Sequence, residues 1–168
     1  VNIARVSTQK NQKMLLKAFS LMKQDNVVLL VVGRQTEVDY FDSLQSEKPP
    51  NVHFLGPCPN ATDFLFMADA FILGSTWEGM PISLIEAFAA GCYPICTPAG
   101  GIKNMISEGE GILTTDFTSN GFAASLKSFL IETESNIQSA IRRNQHKYTE
   151  RFSMAACTNN YLTLFKSL

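Results

Sequence analysis

Two carboxylates, Glu78 and Glu86, stand with seven residues between them in the run Ser75-Thr76-Trp77-Glu78-Gly79-Met80-Pro81-Ile82-Ser83-Leu84-Ile85-Glu86-Ala87. The apolar stretch Ala70-Phe71-Ile72-Leu73 precedes that run and reads as a strand, so the order is strand, short loop, helix. Pro81 suits the first helical turn, where its missing N–H costs no hydrogen bond. Such a loop aims backbone N–H groups, those of Gly79 and Met80 among them, and the positive helix end at whatever lies above the sheet. From Ile82 to Ala90 only Ser83 and Glu86 are not apolar or small. A lone carboxylate on such a helix is costly to bury unless something binds it. At about 1.5 Å of rise per residue the two carboxylates lie no more than roughly 12 Å apart along the helix. A ligand with hydroxyls at both ends, such as a nucleotide-sugar, could touch both. Spacing alone leaves the plainer alternative open, with Glu86 half exposed and Glu78 an ordinary loop charge.

A second candidate lies near the start of the chain, where Arg5 and Lys10 flank a loop after a strand-like Val1–Val6. A diphosphate needs cations that reach two phosphoryl groups, and a planar guanidinium with a mobile ammonium suits that task. Lys13 is the alternative lysine, and a solvated loop with ordinary charges is the alternative reading. Gly33 and Arg34 end the second strand, and a glycine there lets a ligand come close to the backbone or simply makes a turn. Ser75 is a possible polar neighbour of Glu78, and His53 reads as structural.

The elements that must position these groups alternate. Strands are expected at 1–6, 26–32, 52–55, 70–73, 93–97 and 111–114. Helices are expected at 11–22, 37–47, 63–67, 81–90 and 102–107, with Gly91 as a left-handed cap for the fourth. Pro49-Pro50 stops the second helix, and beyond Ser119 the pattern is helical to the end with a break near Phe152-Ser153. This alternation predicts an α/β domain, a Rossmann-like doubly wound parallel sheet of about six strands. In such sheets ligands bind at the carboxyl ends of the strands near the topological switch point. The loops after Val6, Val32, Leu55, Leu73 and Ile95 all open onto that edge.

The chain of 168 residues is one domain's worth. Its 45% apolar and 17% charged residues are ordinary for a globular domain, and a net charge of −1 leaves no electrostatic footprint for nucleic acid. No run approaches the roughly 18 apolar residues of a membrane helix. No leader opens the chain, and Val1-Asn2-Ile3-Ala4-Arg5 already reads as a strand, so the sequence reads as an excised domain. Cys58, Cys92, Cys96 and Cys157 fit neither a zinc pattern nor a disulfide framework, which favours reduced thiols and a cytoplasmic protein. Cys92 and Cys96 read as small core residues. No Gly-x-Gly-x-x-Gly follows a strand, no Walker loop is present, and two distant histidines make a Ser-His-Asp site improbable.

Six segments in order resemble the C-terminal, donor-binding half of the group 1 glycosyltransferases, retaining enzymes of the two-domain GT-B fold. They are Ala4-Arg5-Val6-Ser7 with Lys10-Asn11, Asn51–Gly56, Ala68–Phe71, the paired glutamates Glu78 and Glu86, Ala87–Ile95, and Pro98-Ala99-Gly100-Gly101. The resemblance implies that Arg5 and Lys10 bind the donor diphosphate and assist departure of the leaving group. It implies that Glu78 lies against the donor sugar, that Glu86 holds ribose hydroxyls, and that Leu55 and Gly56 lie beside the base. Carboxylates suit both glutamate roles because each oxygen accepts hydrogen bonds from vicinal hydroxyls. Residues Ser75, Gly79, Met80 and Pro81 complete the expected donor site. The two glutamates lie in tandem on one element, unlike hydrolytic carboxylates facing each other across a bond.

Two departures concern the sugar and the contact with the second half: Asn104 stands where the family often has a glutamate, and Trp77 where it often has tyrosine or phenylalanine. The resemblance implies one nucleotide-sugar-binding domain over 1–168 with the N-terminal acceptor domain absent, a nucleoside-diphosphate sugar as donor, no metal, and no activity from the domain alone. The absent half could also bring the protein to a membrane periphery. A nucleotide-sugar epimerase of the same fold and a non-catalytic donor-binding module are the rival readings.

Overall fold

A computed structural model describes residues 1–24 and 26–167. Among the described residues six short parallel strands carry the fold: β1 (Asn2–Ile3), β2 (Leu29–Val32), β3 (Val52–Gly56), β4 (Ala70–Leu73), β5 (Tyr93–Cys96) and β6 (Ile112–Leu113). They form two three-stranded ladders, β1-β2-β3 and β4-β5-β6. The Ile72 amide donates to the Val1 carbonyl at 2.8 Å, and the buried Asn2 amide nitrogen donates to the Ile72 carbonyl at 2.8 Å. These bonds set β1 beside β4, so the strands run in the order β3-β2-β1-β4-β5-β6. The chain reverses its direction of winding between β1 and β4, and this is the switch point at which doubly wound sheets bind ligands.

Helices cover both faces. On one side α1 (Gln12–Met22), α2 (Val38–Glu47) and α5 (Ser119–Leu130) bury Leu15, Phe19, Leu44 and Phe122 against Val31, Ile72 and Ile95. On the other, α3 (Asp63–Met67) and α4 (Ile82–Ala90) bury Leu65, Leu84 and Phe88 against Val32, Phe71 and Leu73. Phe71 and Leu73 face one layer while Ile72 faces the other, as the period of two in a strand requires. The continuous apolar runs of β2 and β4 follow from burial on both faces. The chain then continues through α6 (Glu134–Lys147), a π-helical turn at Tyr148–Phe152 and α7 (Met154–Lys166).

Several expected boundaries move. The first strand forms a ladder only at Asn2–Ile3, and beyond it Val6 makes an isolated parallel bridge to Gln35. The second begins at Leu29, not at 26. The brief helix expected at 102–107 is a 3-10 turn at Gly100–Asn104, drawn earlier by the glycine pair that opens it. The helical tail has a second break at 131–133, where the Thr133 hydroxyl caps α6 by accepting from the Asn136 amide. Gly91 does end α4 in the left-handed conformation, at φ 75°. Cys92 and Cys96 are buried, and all four cysteines are free thiols; burial pushes the Cys92 thiol up to about 11.

Candidate functional site

The loop after β1 and the loop after β4 meet at the switch point. Glu78 is 6% exposed, and its Oε1 accepts from Lys10 Nζ at 2.5 Å and from Ser75 Oγ at 2.6 Å. Ser75 is itself fully buried, and its carbonyl accepts from the Thr97 hydroxyl at 2.6 Å. A charge-assisted pair with a second donor is how a carboxylate tolerates removal from water. Lys13 takes no part: its ammonium meets Glu47 at 3.0 Å on an exposed helix face. The spacing left two lysines open, and the fold brings Lys10 to Glu78.

The Lys10 loop is held from below and from both sides. Beneath it, the fully buried Gln12 donates to the Arg5 carbonyl at 2.9 Å and accepts from the Ser7 amide at 3.3 Å. On the β2 side, the Val6 amide donates to the Arg34 carbonyl at 2.8 Å, and Glu37 accepts from both the amide and hydroxyl of Thr8. On the β4 side, the Gln9 carbonyl accepts from the Thr76 amide at 2.9 Å, while Gln9 Nε2 donates to the Trp77 carbonyl at 2.9 Å. Arg5 is exposed and makes no ion pair among the described residues. Its guanidinium is therefore available at this edge.

The Gly100–Gly101 pair supports the Glu78 loop from the β5 side. The Gly101 amide donates to the Glu78 carbonyl at 2.9 Å. A Cβ at Gly100 would fall 2.0 Å from the Glu78 carbonyl oxygen, and one at Gly101 1.8 Å from that of Gly79. Only glycines permit this approach. Gly79 and Met80 are exposed, and their amides donate to no group among the described residues. They point the start of α4 toward solvent at the same edge, and Pro81 opens the helix at φ −69°.

Glu86 lies on α4, half-buried and without a hydrogen bond or ion pair among the described residues. Burial raises its carboxyl above the ordinary value. Gly33 sits at φ 148°, where a Cβ would fall 2.0 Å from the Ala4 carbonyl oxygen. Close packing of β1 on β2 thus suffices to require glycine there. The Gly33 amide donates to the Gly56 carbonyl at 2.9 Å, which ties the ends of β2 and β3 together at the carboxyl edge of the sheet. Arg34 and Leu55 are exposed beside them, and a Cβ at Gly56 would meet nothing within 4 Å. His53 is exposed on β3 and belongs to no cluster of metal-binding type among the described residues.

Sequence reasoning passed over Gln9, Gln12 and Thr97. Gln12 carried a usable signal, because a polar residue stands at the start of the apolar stripe of α1. Gln9 and Thr97 carried none, since their partners lie 68 and 22 residues away.

Fold and site define a doubly wound α/β domain with a cation–carboxylate pair at its switch point. The chain belongs to the glycosyl transferases group 1, whose family pattern matches residues 1–148. It is 26% identical over 97% of its length to the N,N'-diacetylbacillosaminyl-diphospho-undecaprenol alpha-1,3-N-acetylgalactosaminyltransferase of Campylobacter jejuni, of which it covers 43%. It is 28% identical over 98% of its length to the N-acetyl-alpha-D-glucosaminyl L-malate synthase of Bacillus anthracis, of which it covers 44%. The chain thus spans less than half the length of these relatives. Among solved structures, HepE of Anabaena in complex with UDP superposes with a TM-score of 0.91 at 23% identity, over 99% of this chain and 48% of that one. The C-terminal domain of a group 1 family glycosyl transferase from Francisella tularensis superposes with a TM-score of 0.74 at 20% identity, over 91% of this chain and 85% of that one. No helix among the described residues is long and apolar enough to cross a membrane.

Proposed function

We propose that this chain is the donor-binding domain of a retaining glycosyltransferase, taking a sugar from a nucleoside-diphosphate donor to an acceptor hydroxyl. The observation that carries the reading is the buried Lys10–Glu78–Ser75 cluster at the switch point, on loops that also carry Arg5, with no ion pair among the described residues, and the Gly79 and Met80 amides, with no acceptor among them. In this reading Arg5 and Lys10 neutralise the diphosphate and the charge that grows on it as the glycosidic bond breaks, so the chemistry needs no metal. Glu78 faces the sugar, and Glu86 accepts from ribose hydroxyls, which would supply the partner this half-buried carboxylate lacks among the described residues. Gly33, Arg34, Leu55 and Gly56 border the base, while Pro81 presets the turn that aims the α4 amides. HepE, bound to UDP in its crystal structure, makes UDP the first ligand to try.

The acceptor-binding half lies elsewhere in the full-length protein, so the 168-residue chain binds nucleotide weakly and transfers nothing by itself. The full protein works in the cytoplasm, on glycan biosynthesis. Calorimetry on the 168-residue chain with UDP, GDP and ADP tests the site, and binding of none at millimolar concentration counts against it. In the full-length enzyme, Glu78→Ala is expected to slow turnover about a hundredfold while changing nucleotide affinity much less, because a contact to the reacting sugar strengthens in the transition state. An unchanged kcat removes Glu78 from the mechanism.

A further inference from the structure

We propose that Gln9 is a positioning residue that locks the β1 and β4 loops in register and so sets the Lys10–Glu78 pair; its effect on ligand rests on the nucleotide reading above. Its carbonyl accepts from the Thr76 amide at 2.9 Å and from the Thr76 hydroxyl at 3.3 Å. Its side-chain amide donates to the Trp77 carbonyl at 2.9 Å. The next residue in each loop then meets its counterpart, with Lys10 Nζ on Glu78 Oε1. The two loops are thus zipped together residue by residue, and the zip ends on the ion pair.

The geometry around Glu78 shows why the side-chain bond matters. Its backbone is fixed on the far side by the Gly101 amide, which donates to the Glu78 carbonyl at 2.9 Å. On the near side Gln9 holds the preceding carbonyl, that of Trp77. Glu78 therefore hangs between two backbone anchors, one from the glycine pair and one from Gln9. The neighbouring Thr8 cannot substitute, because its amide and hydroxyl are turned the other way, toward Glu37. Among the described residues, Gln9 is the one whose side chain spans from this loop to the Trp77 backbone, across the seam between the two ladders. Trp77 is itself 66% exposed, so nothing in its own burial fixes that peptide.

Gln9→Met keeps the length of the side chain and removes the donor, leaving the carbonyl bonds to Thr76 available. In the 168-residue chain the variant is expected to speed amide exchange at Thr76, read by NMR, about two- to tenfold, the range of one neutral hydrogen bond. It is also expected to weaken UDP binding by a similar factor, with a melting shift of no more than about 4 °C. Gln9→Lys restores a donor of similar reach and returns the Thr76 exchange rate toward wild type. Unchanged Thr76 exchange in Gln9→Met overturns the lock, and faster exchange with unaltered UDP affinity overturns its bearing on the site. A wild-type chain that binds none of UDP, GDP and ADP defeats the nucleotide reading instead, and Thr76 exchange then decides Gln9 by itself.

Discussion

Glu86 sits on α4 among Leu84, Ala87 and Phe88, which are fully buried, and burial holds its carboxyl above the ordinary range. A raised folded-state value means that the fold disfavours the charged form, so the cost is present at neutral pH. That cost fades as pH falls through the folded value and vanishes once the unfolded chain is protonated as well. Glu86→Gln is therefore expected to melt slightly higher than wild type at pH 7 and at the same temperature near pH 3.5, while binding UDP more weakly. A variant that melts lower at pH 7 shows instead that the carboxylate supports the fold. The anomaly of Glu86 was legible in the sequence, because a polar outlier in an apolar helical run needs no partner's position to be noticed. Glu78 was legible as one of two candidate site carboxylates but not as a buried one; its partner Lys10 lies 68 residues away, and no local pattern encodes that distance.

At the scale of elements, the glycine pair before the 3-10 turn acts through shape. It places the Gly100–Asn104 backbone directly beneath the Glu78–Gly79 peptide, where the Gly101 amide finds its acceptor. Gly101→Ala would put a methyl carbon 1.8 Å from the Gly79 carbonyl oxygen, a contact that only backbone movement relieves. The expected outcome is a loss of about 1–3 kcal/mol in stability by denaturant melts, together with weakened UDP binding as the Glu78 loop is pushed outward. Stability and affinity both equal to wild type would show that the loop yields freely. The sequence marked this turn but placed it two residues late, since apolar periodicity begins at Ile102 while the glycines start the turn for steric reasons. The same limit explains the strand ends. β2 begins at Leu29 although Val27 and Val28 are as apolar as Leu29 and Leu30, because its neighbour β3 offers its first partner at Val52, opposite Leu29.

Across the whole molecule, alternating periodicity was enough to read a doubly wound parallel sheet, because buried parallel strands and amphipathic helices differ in the spacing of their apolar residues. The order of the strands was not readable from spacing, since it depends on bonds such as Ile72 to Val1 that join the two ladders. That seam has a kinetic consequence. The β1-β2-β3 ladder and the β4-β5-β6 ladder are each built from chain neighbours, whereas the Lys10–Glu78 pair closes a loop of 68 residues. Contacts of long sequence separation carry the larger loop-closure entropy and form late. In a stopped-flow refolding experiment, the capacity to bind a fluorescent UDP analogue is therefore expected to appear late, after most of the helical signal has returned. Binding competence that rises together with the earliest helical signal would mean that the seam closes first, and that the ladders grow outward from it. If the late closure holds, a chain still emerging from the ribosome acquires its ligand edge only once residue 78 and the strand before it have been delivered to an N-terminal half that is already waiting.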